Sequence, residues 1–264
     1  MSLVSVEGSN VSTAWLAAAQ RLNREPKRKA INTVTRIADP VGEDPAVRQA
    51  MDELLDSGKN LQCVDTVANT IFPEAIARSS RDHEELVERY VRMYPMLRKK
   101  FTKNDRGTYF GRLIQYPSAK GPFDQVGAVI KRINVQRRSA GGTLQAARYE
   151  ALVEAPGDGG PDALAVYVPG TDNSPMGFPC LSYCAFQLDT EQRVHLLATY
   201  RSQFLVERGY GNYLGLGRLL AHVARQTGLE VGHLTVVAGL AHLESPITRV
   251  RLMLERFGYD ASLP

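Results

Sequence analysis

Cysteine is scarce. The 264 residues hold three, Cys63, Cys180 and Cys184. So few, and an odd number, cannot build a disulfide framework, and a reducing cytoplasm is the expected setting. Tryptophan is rarer still, with Trp15 alone. No apolar run reaches the roughly 18 residues a membrane span needs, so no membrane partner is expected. The opening MSLVSVEGSNVS has no basic stretch followed by an apolar core, so no secretory leader is expected. Neither a P-loop nor a GxGxxG fingerprint is present. The five histidines, His83, His195, His222, His233 and His242, show no metal-ligand spacing, and His222 is expected on a helix surface. No metal is expected, and no Ser-His-Asp set can be inferred. Charge of one sign is also lacking. The balance of 32 basic against 28 acidic residues, +4 net, is weaker than dedicated nucleic-acid binders carry, so no nucleic acid is expected.

What is present is a chain long enough to bury a core without staples. Its basic residues cluster at 24–29, 98–103 and 131–138. Such clusters are either solvated surface or attraction for a compact anion such as phosphate. Helices are predicted from Ser12 or Thr13 to Asn23, and over 45–55, 61–71 and 82–94, the last ended or kinked by Pro95. Further helices are predicted over 123–133, 213–227 with Gly228 as its stop, and 248–257. Strands are predicted over 31–37, 145–153, 163–168, 181–188, 194–200 and 234–240. Residues 181–188 and 194–200 should pair as a hairpin, and 107–115 reads as loop or extended chain. The expected fold is one α+β domain over residues 1–264, a mostly antiparallel mixed sheet flanked by helices, with residues 1–25 as an N-terminal helix region.

Three positions carry candidate chemistry. Cys180 follows Pro179, which places it at a strand start or edge where a thiol can face a cleft. Any activation must come from arginines that the fold supplies. Cys184, four residues on, and Cys63 read as buried structural cysteines. Arg201-Ser202, expected just after a strand and ahead of the Gly-rich stretch 208–212, pairs a guanidinium with a hydroxyl, a combination that holds phosphate.

Taken together, the second half resembles thymidylate synthase, the folate-dependent enzyme that methylates C5 of deoxyuridylate. Phe178-Pro179-Cys180, with Phe186 six residues after the cysteine, resembles the nucleophile strand. Tyr200-Arg201-Ser202 resembles the phosphate motif. Asn212, eleven residues after Arg201, stands where the family keeps its base-reading asparagine. His242, thirty residues further, stands where it keeps its ribose-binding histidine. Residues 107–111 are similar to the glycine-tyrosine-glycine approach loop, with Phe110 where tyrosine is usual. Asp124-Gln125 followed by Arg137 and Arg138 resembles the segment that lends two arginines to a partner subunit's phosphate site. Arg28 or Lys29 is a further candidate for the phosphate.

The resemblance implies a thymidylate synthase-like fold and a homodimer. It also implies a pyrimidine nucleoside monophosphate substrate and Cys180 as catalytic nucleophile. Arg201, Ser202, Asn212, His242, Arg137 and Arg138 would bind the substrate. Asn212, with a donor and an acceptor on one amide, suits a uracil-type base. The departures fall on the folate side. Phe204 replaces the folate-contacting aspartate, and the 61–71 helix offers Asp65 but no glutamate. Leu181, Ala185 and Glu244 replace a histidine, a glutamine and a tyrosine, and the closing C-terminal tail has no counterpart. The expected activity is therefore chemistry at C5 through a cysteine adduct at C6, other than orthodox thymidylate synthesis. Three alternatives stay open: a non-catalytic nucleotide sensor, a nucleotide hydroxymethylase, and a thymidylate synthase with an unusual cleft for methylene-tetrahydrofolate.

Overall fold

A computed structural model describes residues 3–58, 61–100, 107–139, 163–166, 168 and 179–258. The strand expected over 145–153 and the turn after it lie outside these. Strand β1 (Ser5–Asn10) leads into α1 (Val11–Arg24). Asn10 caps that helix, its side chain accepting the Thr13 amide while the Thr13 hydroxyl accepts the Asn10 amide. Next come β2 (Lys29–Asp39), α2 (Pro45–Asp56), α3 (Val64–Ile71), α4 (Glu74–Arg78) and α5 (His83–Lys100). They are followed by α6 (Tyr109–Ile114), the β3/β4 hairpin (Tyr116–Ser118, Gly121–Phe123) and α7 (Gln125–Ser139). The chain then gives β5 (Ala163–Ala165), β6 (Leu181–Leu188), β7 (Arg193–Phe204), α8 (Tyr210–Thr227), β8 (Glu230–His242) and α9 (Ile247–Arg256).

Six strands form one mixed sheet in the order β1-β2-β8-β7-β6-β5. Pairs β2–β8, β7–β6 and β6–β5 are antiparallel, whereas β1–β2 and β8–β7 are parallel. The expected hairpin is β6–β7. Strand β1 escapes the sequence patterns because it is short, polar and at the sheet edge.

Buried side chains alternate along the three central strands, then shift phase together. The inward rows are Thr33, Ala238 and Tyr200, then Ala30, Ala241 and Gln203, three residues on rather than two. Asn32, at φ 56°, takes up the extra residue in β2. The shift brings Arg201 and Ser202 into β7 itself, not after it. The other face of the sheet carries half-buried Val34, Leu197, Thr199, Thr235 and Val237.

Three further expectations are corrected. Of the two outcomes expected at Pro95, an end is not the one taken: α5 runs on to Lys100, beyond the predicted bound at 94, with Tyr90 and Tyr94 packed just ahead of the proline, ring centroids 5.4 Å apart. Residues 109–114 are helical because the Thr108 side chain caps them, accepting the Gly111 amide at 3.0 Å. The glycine-rich stretch 208–212 is helical: a wide π-helical turn, Leu205–Gly209, runs straight into α8.

Fourteen of the 18 residues of α8 are buried, so it is the central helix and not a surface one. Its glycines serve close approach. A Cβ at Gly211 would lie 2.6 Å from the Val67 Cβ, and one at Gly217 would lie 1.7 Å from the Pro40 carbonyl oxygen. Backbone cannot yield as a side-chain tip can. Gly217→Ala should therefore cost about 3 kcal/mol or more, read as a lower urea midpoint; an unchanged midpoint would refute the contact.

Candidate functional site at one end of the sheet

Strand direction decides which residues meet. β7 and β8 are parallel, so their C-terminal ends, Arg201–Phe204 and His242, lie side by side. β6 and β2 run the other way, so their starts, next to Cys180 and at Lys29, come to that same end. The turn Leu205–Gly209 continues from β7 and delivers Asn212 in the first turn of α8. Trp15 fixes this turn by donating its indole N–H to the Leu205 carbonyl at 2.7 Å. Cys180, Arg201, Ser202, Asn212 and His242 are thus gathered by strand polarity from four parts of the chain.

Cys180 is half-buried and tied to its neighbour strand. The Arg201 amide donates to the Cys180 carbonyl at 2.9 Å, and Arg201 Nη2 donates to the Pro179 carbonyl at 2.9 Å. Burial pushes the thiol up, and the guanidiniums of Arg201 and Arg208 oppose that push without overcoming it. At neutral pH the resting thiol is therefore protonated. Asn212 is only 4% exposed, and its side-chain amide makes no hydrogen bond among the described residues. His242 stacks beside Phe204, ring centroids 5.9 Å apart. Burial, with Lys29 and Arg28 close by, lowers its imidazole below the ordinary value and keeps it neutral. The basic turn residues foreseen for an anion site do stand beside this histidine.

Sequence reasoning missed three neighbours. Tyr109, not Phe110, faces the thiol: its hydroxyl acidity is lowered first by burial and then by the nearby Cys180, while backbone bonds from Leu181 and Cys180 work the other way. Phe110 is fully buried against Phe72 and Tyr90. Successive helical residues diverge by about 100°, so a motif slipped by one residue presents a different side chain once the loop is a helix. Arg208 is the second missed residue. Its Nη1 donates to Gln62 Oε1 at 2.7 Å and its Nη2 pairs with Glu207 at 3.0 Å. Glu244 is the third. Its Oε1 accepts the Glu207 amide, bracing the turn that bears Arg208, and burial pushes its carboxyl up. A cation immediately before Gly209 and Gly211, just after a strand, was the one available signal.

Other candidates lie elsewhere. Arg137 donates to the Thr227 carbonyl at the C-terminal end of α8, and Arg138 is exposed nearby on α7. At 1.5 Å per residue those 18 residues span about 27 Å, so within one chain neither arginine joins the Cys180 end. Asp65 is held by Arg218 at 2.8 Å and Arg48 at 2.7 Å, which outweigh its burial and keep its carboxyl below the usual range. Cys184 is a core thiol pushed up to about 12 by burial. Cys63, expected to be buried, is exposed at the start of α3, because the helix turns its apolar face inward only from Val64. Among the described residues, no cluster of three or more His, Cys, Asp or Glu side chains could hold a metal, and no helix is long and apolar enough to cross a membrane.

No family model matches the chain. Two curated archaeal proteins, each named "Putative thymidylate synthase", are similar over 80 residues. The Methanothermobacter marburgensis protein is 31% identical across 30% of this chain and 35% of its own length. The Methanothermobacter thermautotrophicus protein is 30% identical across 30% of this chain and 36% of its own length. The match thus spans about a third of those relatives. It supports a thymidylate synthase-like relationship for that part of the chain.

The thiol electrostatics can be tested directly. In a Cys63→Ser protein, iodoacetamide alkylation of Cys180 should titrate above the ordinary thiol value of about 8.5. Arg208→Gln should move the midpoint higher still, because one of two opposing cations is gone. A midpoint below the ordinary value, or a downward shift in the variant, would contradict the arrangement.

Proposed function

We propose that the chain is a single thymidylate synthase-like domain that acts at C5 of a uracil-type nucleoside monophosphate through a Cys180 adduct at C6. One observation carries this reading: a half-buried thiol flanked by two guanidiniums shares a sheet end with a buried asparagine and a neutral histidine. The two archaeal relatives, by their name, agree with it.

The phosphate, carrying close to two negative charges, would be held by Arg201 and Ser202. Arg28 and Lys29 add positive potential beside His242. Asn212 would donate to O4 and accept from N3–H, the pattern of uracil and not of cytosine. The Cys180 thiol gives its proton to water, the sulfur bonds to C6, and the C5–C6 electron pair moves onto O4 as an enolate; the proton returns when the sulfur is expelled. C5 gains a proton from water. Loss of the original C5 hydrogen to water regenerates the enolate, and expulsion of sulfur restores the ring. The net reaction is hydrogen exchange at C5 with nothing oxidised or reduced, and a one-carbon electrophile can take the proton's place. Folate fits this chain poorly. Phe204, where the resemblance places an aspartate, is a ring 43% exposed beside His242 and offers a pterin no acceptor. No step is therefore assigned to folate.

The raised thiol favours one second reading, a protein that binds the nucleotide without turning it over. Release of tritium from C5-tritiated dUMP or UMP separates the two. Turnover predicts release that Cys180→Ser abolishes while affinity stays within about threefold; tight binding with no release from any pyrimidine nucleotide sinks the catalytic reading. Asn212→Asp should shift preference toward dCMP by at least about tenfold, the worth of one charged hydrogen bond.

A homodimer completes the proposal, seated on the half-buried sheet face of Val34, Leu197, Thr199, Thr235 and Val237. In it Arg137 and Arg138 would reach the partner's phosphate, Arg137 by releasing Thr227. Sedimentation should show a dimer that Val237→Arg converts to monomer; a wild-type monomer would refute the interface.

A further inference from the structure

A second cleft lies on the far side of α8 from the sheet, away from Cys180. Its volume is about 240 Å³, and α8, α4 and the segment at Val41–Glu43 wall it. Phe72 and Leu214 give it an apolar side, and Arg218 and Arg225 line it from α8.

The charges on its wall are mostly spent. Glu43 bonds Arg48 at 3.0 Å, Glu74 bonds Arg78 at 2.6 Å, and Arg218 bonds Asp65 at 2.8 Å. Arg225 differs. Its Nη2 meets His222 Nδ1 at 3.1 Å, and His222 Nε2 meets His83 Nδ1 at 3.0 Å. His83 Nε2 in turn meets Asp124 Oδ2 at 2.8 Å.

Donor roles in this row have a single solution. A carboxylate only accepts, so His83 Nε2 carries hydrogen; a guanidinium only donates, so His222 Nδ1 is bare. A neutral His222 then carries its hydrogen on Nε2 and donates to the bare His83 Nδ1. Both imidazoles are neutral and every site between Asp124 and Arg225 is used. His222, expected on the helix surface, is instead 3% exposed and stacked 5.0 Å from Phe72. Burial, His83 and Arg225 push its imidazole down to about 3, in accord with that neutral state.

Arg225 is therefore a cation fixed by a neutral partner. Among the described residues no carboxylate pairs with it where it lines the cleft, and only one of its nitrogens is needed for the relay. We propose that this cleft is a binding site for a small molecule carrying one anionic oxygen group, carboxylate or phosphate, on a flat apolar ring. The oxyanion sits on Arg225, and the ring lies toward the Phe72 and Leu214 side. His83, His222 and Asp124 are positioning residues that orient Arg225. The site stands independently of the reaction proposed at Cys180.

Calorimetric titration of the whole chain tests it, with benzoate, phenyl phosphate and neutral benzamide as probes. At least one anion should bind, benzamide should bind at least about tenfold more weakly, and Arg225→Gln should weaken the anion by about tenfold or more. Arg225→Lys should restore part of the loss, and Arg256→Gln, on α9 outside both sites, should change nothing. The proposal is overturned by no anion binding up to about 10 mM, a ceiling beyond which affinity is negligible. Equal binding of benzamide, or a loss caused by Arg256→Gln and not by Arg225→Gln, overturns it as well. Arg225 is exposed, so its variants should keep the wild-type melting midpoint. Comparing benzoate with phenyl phosphate decides which oxyanion the site prefers.

Discussion

The burial of α8 between the sheet and α3 constrains everything else. Its glycines let α3 and the Pro40 turn approach at backbone contact, and its first turn is fixed by the strand that feeds it. That single placement sets Asn212 at the Cys180 end, His222 and Arg225 on the opposite cleft, and Thr227 against Arg137. A helix so enclosed cannot slide by a turn without breaking both ends at once.

At the Cys180 end two effects compete. Withdrawal from water favours the neutral thiol, and two guanidiniums favour the thiolate. Burial wins in the free protein. On the function proposed above, a bound phosphate would partly neutralise Arg201, so the ligand would act on the sulfur more by placing its reacting carbon within reach than by electrostatics. Arg208 is one side of this balance, and Tyr109 lies beside the thiol.

Much of this was readable from residue order alone. Helical spacing located α1 and α8, alternation located β2, and β-rich or apolar runs located β6, β7 and β8. The spacing from Cys180 to Arg201 and His242 named residues that lie on the ends of neighbouring strands, and Asn212 lies in the first turn of the helix that follows. What was hidden depended on tertiary contact. Gly111 and Gly211 read as loop punctuation, yet each is small because an aromatic ring or a neighbouring helix lies against it. His222 read as surface because its partners, His83 and Asp124, lie far away in the chain. Tyr109 was one position from the expected tyrosine, a distinction that matters only on a helix.

The phase shift shared by β2, β7 and β8 has a hereditary consequence. Each of the three strands carries its extra residue in the same transverse layer, beside Arg201 and Ser202. Losing it from one strand alone would turn that strand's terminal side chains to the wrong side while its neighbours kept theirs. Insertions and deletions there can be tolerated only when matched across all three, so this edge of the molecule can drift in residue identity far more freely than in length.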